Sequence, residues 1–247
     1  MSPINPQEAG AEHGGGRAAA SVPSASSPAR TRRREATVTE LLAHAERLTS
    51  EEGLEALTMH RLAAVHGVRV AALYRYWPSK DALLAALFGR VFDQLFSAVG
   101  EARRVVDAIP GVDIRPGVRA LVRLVAAARA YQRFAEARPE ASALLTRSLA
   151  IPRPVVADAT SAPTLLPRVL ALAEEIGADL AAARSSGVLC EGDDVARAML
   201  LWTSLQGLVA ARKMSRFGVG GPVAALEREL VRTLFSGWGA PVDVLDA

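Results

Sequence analysis

Residues 58–80 read TMHRLAAVHGVRVAALYRYWPSK. The stretch predicts a short helix, a glycine turn, a second short helix and a Pro-Ser step into a third. Its fixed charges are all positive: Arg61, Arg69, Arg75 and Lys80, with His60 and His66 beside them and no Asp or Glu. A helix-turn-helix with one sign of charge is suited to lie against nucleic acid phosphate. Local chemistry sets the boundaries. The Thr58 hydroxyl can cap a helix over 59–66. Gly67 permits a turn that a larger side chain would strain. A helix over 69–76 then ends at Pro78, and Ser79 caps the next helix from about Lys80.

Upstream, Val38, Leu41, Leu42, Ala45 and Leu48 fall at helical spacing and predict a helix over 36–52, stopped by Gly53. Residues 1–30 are rich in Gly, Ala, Ser and Pro and are expected to be a disordered tail. Arg30, Arg32, Arg33 and Arg34 crowd ahead of the first helix. They form either an arm reaching phosphates or a minor groove, or a solvated charge run.

Downstream, Leu83, Leu84, Leu87, Phe88, Val91, Phe92, Leu95 and Phe96 make a stripe wide enough to pack on two sides. Further helices are expected over 118–137, 139–148, 164–185, 193–215 and 222–237. Proline-bearing loops are expected over 109–117 and 151–162. The fold class is all-α. The organisation is a tail over 1–30, a three-helix head over 31–82 and a helical domain over 83–240.

Half of the 247 residues are hydrophobic, ample for a core, and the formal net charge is +3. Cys190 is the single cysteine, so no intrachain disulfide forms; it is expected as a small buried hydrophobe or a loop residue. No signal peptide and no uncharged run of bilayer-spanning length is found, which predicts a cytoplasmic protein with no membrane partner. His44, His60 and His66 lack metal-ligand spacing with any Cys or acid cluster, so no metal is expected. Nucleophile elbow, phosphate loop, HExxH and paired-carboxylate patterns are missing, which argues against an all-helical enzyme, and no cofactor is implied.

The ordered set Gly53, Thr58, Leu62-Ala63, Gly67-Val68, Leu73-Tyr74, Tyr76-Trp77, Ser79-Lys80-Asp81 and Leu83-Leu84 resembles the DNA-binding domain of TetR-family transcriptional regulators over residues 36–88. Each element alone is weak; their order and spacing together are specific. The likeness is looser further on, where residues 130–139 (AYQRFAEARP) and 201–209 (LWTSLQGLV) resemble a common C-terminal variety of that family.

The resemblance implies a homodimeric repressor on a palindromic operator in double-stranded DNA, released by a small-molecule effector. A constitutive regulator whose C-terminal half only dimerises is the alternative. DNA contacts are expected from Arg32, Arg33, Arg34, Thr58, Arg61, Arg69, Val70, Ala71, Tyr74, Arg75, Tyr76 and Lys80. Arg75 suits a guanine edge, Ala71 close approach, and Lys80 a phosphate anchor. Tyr74 and Tyr76 offer hydroxyls to phosphate or pack with the hydroxyl at the rim, and Trp77 is expected in the core. Arg69 departs from the family, which has Ser or Thr there. It cannot cap the recognition helix, but it can reach phosphate or a base.

Phe92, Phe96, Leu124, Ala128, Tyr131, Leu172, Trp202 and Gln206 are the candidate effector residues, and all equally fit an ordinary core. Such a pocket prefers a hydrophobic or aromatic effector. Met199, Leu205, Leu208, Leu226, Leu230 and Leu234 on the last two helices are the candidate dimer residues.

Overall fold

The computed structural model describes residues 28–109, 115–150, 158–215 and 223–246, and among them all regular structure is helical. They fall into two units, one of residues up to Ala36 and one from Thr37 onward. The first helix, α1, spans Pro28–Glu52. It starts earlier than expected, so residues 28–30 are helical, while the rest of the expected tail lies outside the described residues. Pro28 holds the first helical position, where the missing N–H costs nothing and the fixed φ helps.

A 3-10 turn, Leu54–Ala56, then leads into α2, Met59–His66. The Thr58 hydroxyl accepts from the Arg61 amide at 3.0 Å, and Gly67 closes α2 in the left-handed region at φ 76. Thr58→Ala should lower stability by about 1 kcal/mol through loss of that cap. Chemical denaturation with an unchanged slope would register it, and a change within error would deny the cap its role.

The helix expected to read DNA, α3, is shorter than expected. Only Val70–Leu73 is α-helical, and a turn carries the chain through Tyr76. Arg69, at its N-cap, makes no side-chain capping bond, so one stabilising contact is missing at the front of the helix. Leu73 is completely buried and Trp77 nearly so, which pins both ends of the segment on the core shared with α1, α2 and the helix that follows.

Ser79 caps α4, Lys80–Asp107, accepting from the Ala82 amide at 3.1 Å. Among the described residues α4 is the helix that has membrane-crossing length and apolarity, although Arg90 and Asp93 interrupt its apolar run. Its apolar residues are packed against α5, Pro116–Ala137, and α7, Asp158–Ser185, as a central core helix requires. Helix α6 covers Pro139–Ala150, α8 Asp194–Ser215 and α9 Val223–Gly237.

Two expectations fail here. The loop over 151–162 is helical from Asp158, and residues 151–157 lie outside the described residues. Pro163 and Pro167 sit inside α7 on its exposed side, where water can satisfy the carbonyls they leave without an amide. A short tenth helix, α10, Val242–Asp246, was not anticipated; it tucks Leu245 into the core.

Asp179 on α7 is buried and holds three helices together. Its Oδ2 accepts from Arg103 Nε at 3.1 Å and Nη2 at 2.8 Å, both from α4. Its Oδ1 accepts from Arg123 Nη1 of α5 at 3.1 Å. Arg123 also bonds Asp107, and Arg103 bonds Glu175. No charge in this cluster is left without a counter-charge.

Candidate nucleic-acid interface and ligand chambers

The face formed by α3 and the turn after it presents Arg69, Ala71, Tyr74 and Arg75, all exposed. Tyr74, at 51% exposure, is the most open large hydrophobic side chain among residues 31–82. Tyr76 is half-buried and packs on Trp77 with ring centroids 5.9 Å apart. Val70 departs from its expected place outside, because it packs against the core, leaving Ala71 as the outward apolar contact. Lys80 occupies the first position of α4, where the helix dipole favours an anion.

Thr58 is exposed at the start of α2 but its hydroxyl is already engaged as the cap. Arg61 is exposed and ion-paired to Glu52 at the end of α1, with Nε 3.2 Å from Oε2. Those hydrogen bonds hold the Glu52 carboxyl below its ordinary range. Glu52 is thus a competitor for Arg61 that sequence spacing did not single out, since the two lie nine residues apart. Arg32, Arg33 and Arg34 are exposed in the separate unit ending at Ala36.

In the C-terminal region two adjoining spaces open between helices. The outer, of about 270 Å³, is lined by Phe92 and Phe96 of α4, Val169, Leu172, Ala173 and Ile176 of α7, and Ala198, Met199 and Trp202 of α8. The inner, of about 60 Å³, lies among Leu95, Val99, Ala127, Ala128, Tyr131, Leu201 and Leu205, and shares Leu172, Ile176, Ala198 and Trp202 with the outer. No carboxylate, imidazole, lysine or arginine lines either. Trp202 stands edge-on to Tyr131 at 5.4 Å, and the Tyr131 hydroxyl donates to Gln206 Oε1.

Six of the eight expected effector residues therefore line these spaces. Gln206 stands behind Tyr131 instead, and Leu124 is fully buried in the core away from both.

The expected dimer residues divide differently. Met199 is 56% exposed and Leu226 39%, whereas Leu230 and Leu234 are half-buried. Leu205 and Leu208 correct the expectation: they turn into their own chain's core, with Leu205 facing the inner space, so they offer little surface to a partner. The exposed side of α8 is carried by Val195, Met199 and Leu200.

Residues 41–87 match the model of bacterial regulatory proteins of the tetR family, and residues 124–234 match the tetracyclin repressor-like C-terminal domain, together more than half of the chain. The chain belongs to the TetR family of transcriptional regulators.

Solved structures carry the same fold. A Rhodococcus protein of unknown function is 25% identical with TM-score 0.64, covering 81% of this chain and 94% of its own. The TetR-family regulator PfmR of Thermus thermophilus is 16% identical with TM-score 0.55, over 79% of this chain and 97% of its own. The regulator FadR of Bacillus subtilis, solved in complex with stearoyl-CoA, is 14% identical with TM-score 0.63, over 81% of this chain and 98% of its own. Among curated relatives, the nucleoid occlusion factor SlmA of Mannheimia succiniciproducens is 48% identical over 52 residues, 21% of this chain and 24% of that protein. SlmA of Haemophilus ducreyi is 42% identical over 57 residues, 23% of this chain and 28% of that protein. The chain matches only about a quarter of these relatives' length.

The TetR-type head also contains a pair of imidazoles that sequence spacing did not reveal. His44 Nδ1 of α1 lies 3.2 Å from His66 Nδ1 of α2, with the rings edge to face. One nitrogen must carry the shared hydrogen and the other accept it; a second proton sets two N–H groups against each other. His44 is held below the ordinary imidazole value, first by burial, then by Arg47 and His66, against the opposing pull of Glu40. The folded state thus disfavours the proton relative to the unfolded chain. Its contribution is fully present above about pH 6.5 and is lost as pH falls through the lower folded value. Melting between pH 7.5 and 5.5 should show a larger drop for the natural protein than for His44→Gln, and equal drops would count against the pair.

The remaining pieces are plain. Cys190 is an exposed loop residue, and no group of three or more metal-ligating side chains gathers among the described residues.

Proposed function

We propose that the protein is a homodimeric repressor, acting in the cytoplasm, that binds a palindromic operator in double-stranded DNA. A small hydrophobic effector entering the chambers releases it. In this reading residues 31–82 are the DNA-binding head and residues 83–240 the regulatory and dimerisation domain. No catalytic step and no cofactor is part of it.

The observation that carries the reading is the continuity of α4. One helix bears Lys80 at its capped end and Phe92, Leu95, Phe96 and Val99 along the chamber walls. Twelve residues separate Lys80 from Phe92, about 18 Å of stiff helix. Arg90, between them, reaches the Thr39 carbonyl at 3.4 Å and Glu46 at 3.4 Å on α1, so a shift of α4 is felt in the head. A ligand changes DNA affinity only if it binds one placement of α4 better than the other. That a protein of this fold, FadR, holds stearoyl-CoA supports an apolar effector.

Dimerisation follows from the same economy of contacts. A four-residue α-helical turn reads too few bases for useful specificity, and a two-fold copy doubles them. Val195, Met199 and Leu200 on α8, with Leu226 on α9, form the apolar surface we assign to the partner copy. Arg75 and Ala71 read base edges; Arg69, Tyr74, Tyr76, Thr58, Arg61 and Lys80 hold phosphates, as do Arg32, Arg33 and Arg34.

Sedimentation of the protein with a labelled operator duplex tests this. Two chains per duplex, falling apart when a hydrophobic effector is added, is the expected result. One chain per duplex would overturn the dimer, and a complex indifferent to every ligand that stabilises the free protein would overturn the repressor mechanism.

A further inference from the structure

The two chambers differ in what they can hold. A cavity of about 150 Å³ is the size that takes a benzene ring. The inner space, at about 60 Å³, is too narrow for one, whereas the outer, at about 270 Å³, is not. Leu172, Ile176, Ala198 and Trp202 wall both, so a rotamer change of Leu172, Ile176 or Trp202 is the movement that would join them.

Charge is excluded throughout. An unpaired ion moved into an apolar space costs several kcal/mol, and neither lining supplies a counter-ion. Two half-buried arginines one turn away from lining residues do not help. Arg103 follows Val99 by one turn of α4, and Arg123 precedes Ala127 by one turn of α5, but Asp179 takes the hydrogen bonds of both.

Resting on the ligand-responsive reading above, we infer that the effector carries a slim, unbranched aliphatic chain. The chain threads through the outer chamber, past Trp202, into the inner one. Any ring sits in the outer chamber, and any ionised head group stays outside it. Branched tails and fused planar rings are rejected at the shared wall.

The test uses the full chain without DNA and a series of linear primary alcohols from hexanol to tetradecanol, with anthracene as the planar control. Calorimetry gives Kd. Each added methylene should tighten binding about 4-fold, the equivalent of roughly 0.8 kcal/mol, until the inner chamber is full, and then give nothing more. Ala128→Leu, which fills the inner chamber, should move that plateau to shorter alcohols while leaving hexanol unchanged. Trp202→Phe, which thins the shared wall, should move it to longer ones and serves if Ala128→Leu does not fold.

Failure of all the alcohols to bind, a Kd indifferent to chain length, anthracene binding as tightly as the best alcohol, or a plateau unmoved in the folded variants would each overturn the inference. If the alcohols bind as expected but leave the operator complex intact, the chain assignment stands and the repressor reading falls. Release by a ligand of another class, with no alcohol bound, would do the reverse.

Discussion

Arg75→Ala should cost the operator complex roughly 5- to 150-fold in affinity for each chain bound, the worth of one bidentate base contact at about 1–3 kcal/mol, while leaving random duplex nearly unaffected. The side chain is exposed on the turn closing the recognition segment and no acidic group engages it among the described residues. Its guanidinium is free to offer two parallel donors to a guanine. Lys80→Ala should behave differently. A lysine at a helix N-terminus neutralises a phosphate without reading sequence, so its loss weakens all duplexes alike. It should also reduce the slope of log K against log salt by about 0.9 per chain. Fluorescence anisotropy on both duplexes at several salt concentrations separates the two effects. Equal losses on operator and random DNA for both variants would remove the division of labour.

Asp179→Ala should be the most damaging change in the C-terminal region. The carboxylate is only 3% exposed and joins α4 and α5 to α7 through two guanidiniums. Removing it leaves Arg103 and Arg123 partly buried with fewer counter-charges, and breaking a buried pair this way costs about 3–5 kcal/mol. Glu175 and Asp107 remain to compensate at the exposed rim, so the lower end of that range is expected. A urea midpoint that falls with an unchanged slope would register the loss. Asp179→Asn, which keeps an acceptor but not the charge, should fall between. A midpoint unchanged in both would mean the cluster is idle.

The head was legible because its signals are local. Thr58 and Ser79 cap the helices that follow them, Gly67 occupies the left-handed turn, and Leu73 and Trp77 point inward, all as their residue types require. Where the sequence misled, tertiary context had decided. Val70 is an exposed position on an isolated helical wheel, but the short α3 tilts it onto the core. Proline reads as a breaker, yet Pro163 and Pro167 lie on the wet side of α7, where the lost bonds are cheap. The apolar stripe of α8 does not say which residues face inward; Leu205 and Leu208 went to the core, while Val195 and Met199 remained outside. Contacts between residues far apart in the chain, such as His44 with His66 or Arg103 with Asp179, leave no periodic trace at all.

The central claim is sequence-specific binding by a two-fold dimer. Selection of bound duplexes from a random pool by the purified protein, at near-physiological salt, addresses it most directly. Enrichment of one palindromic site is expected, with half-sites about one helical turn apart or a multiple of it. Recovery of a pool with no preferred sequence, or of a single unpaired half-site, would contradict it.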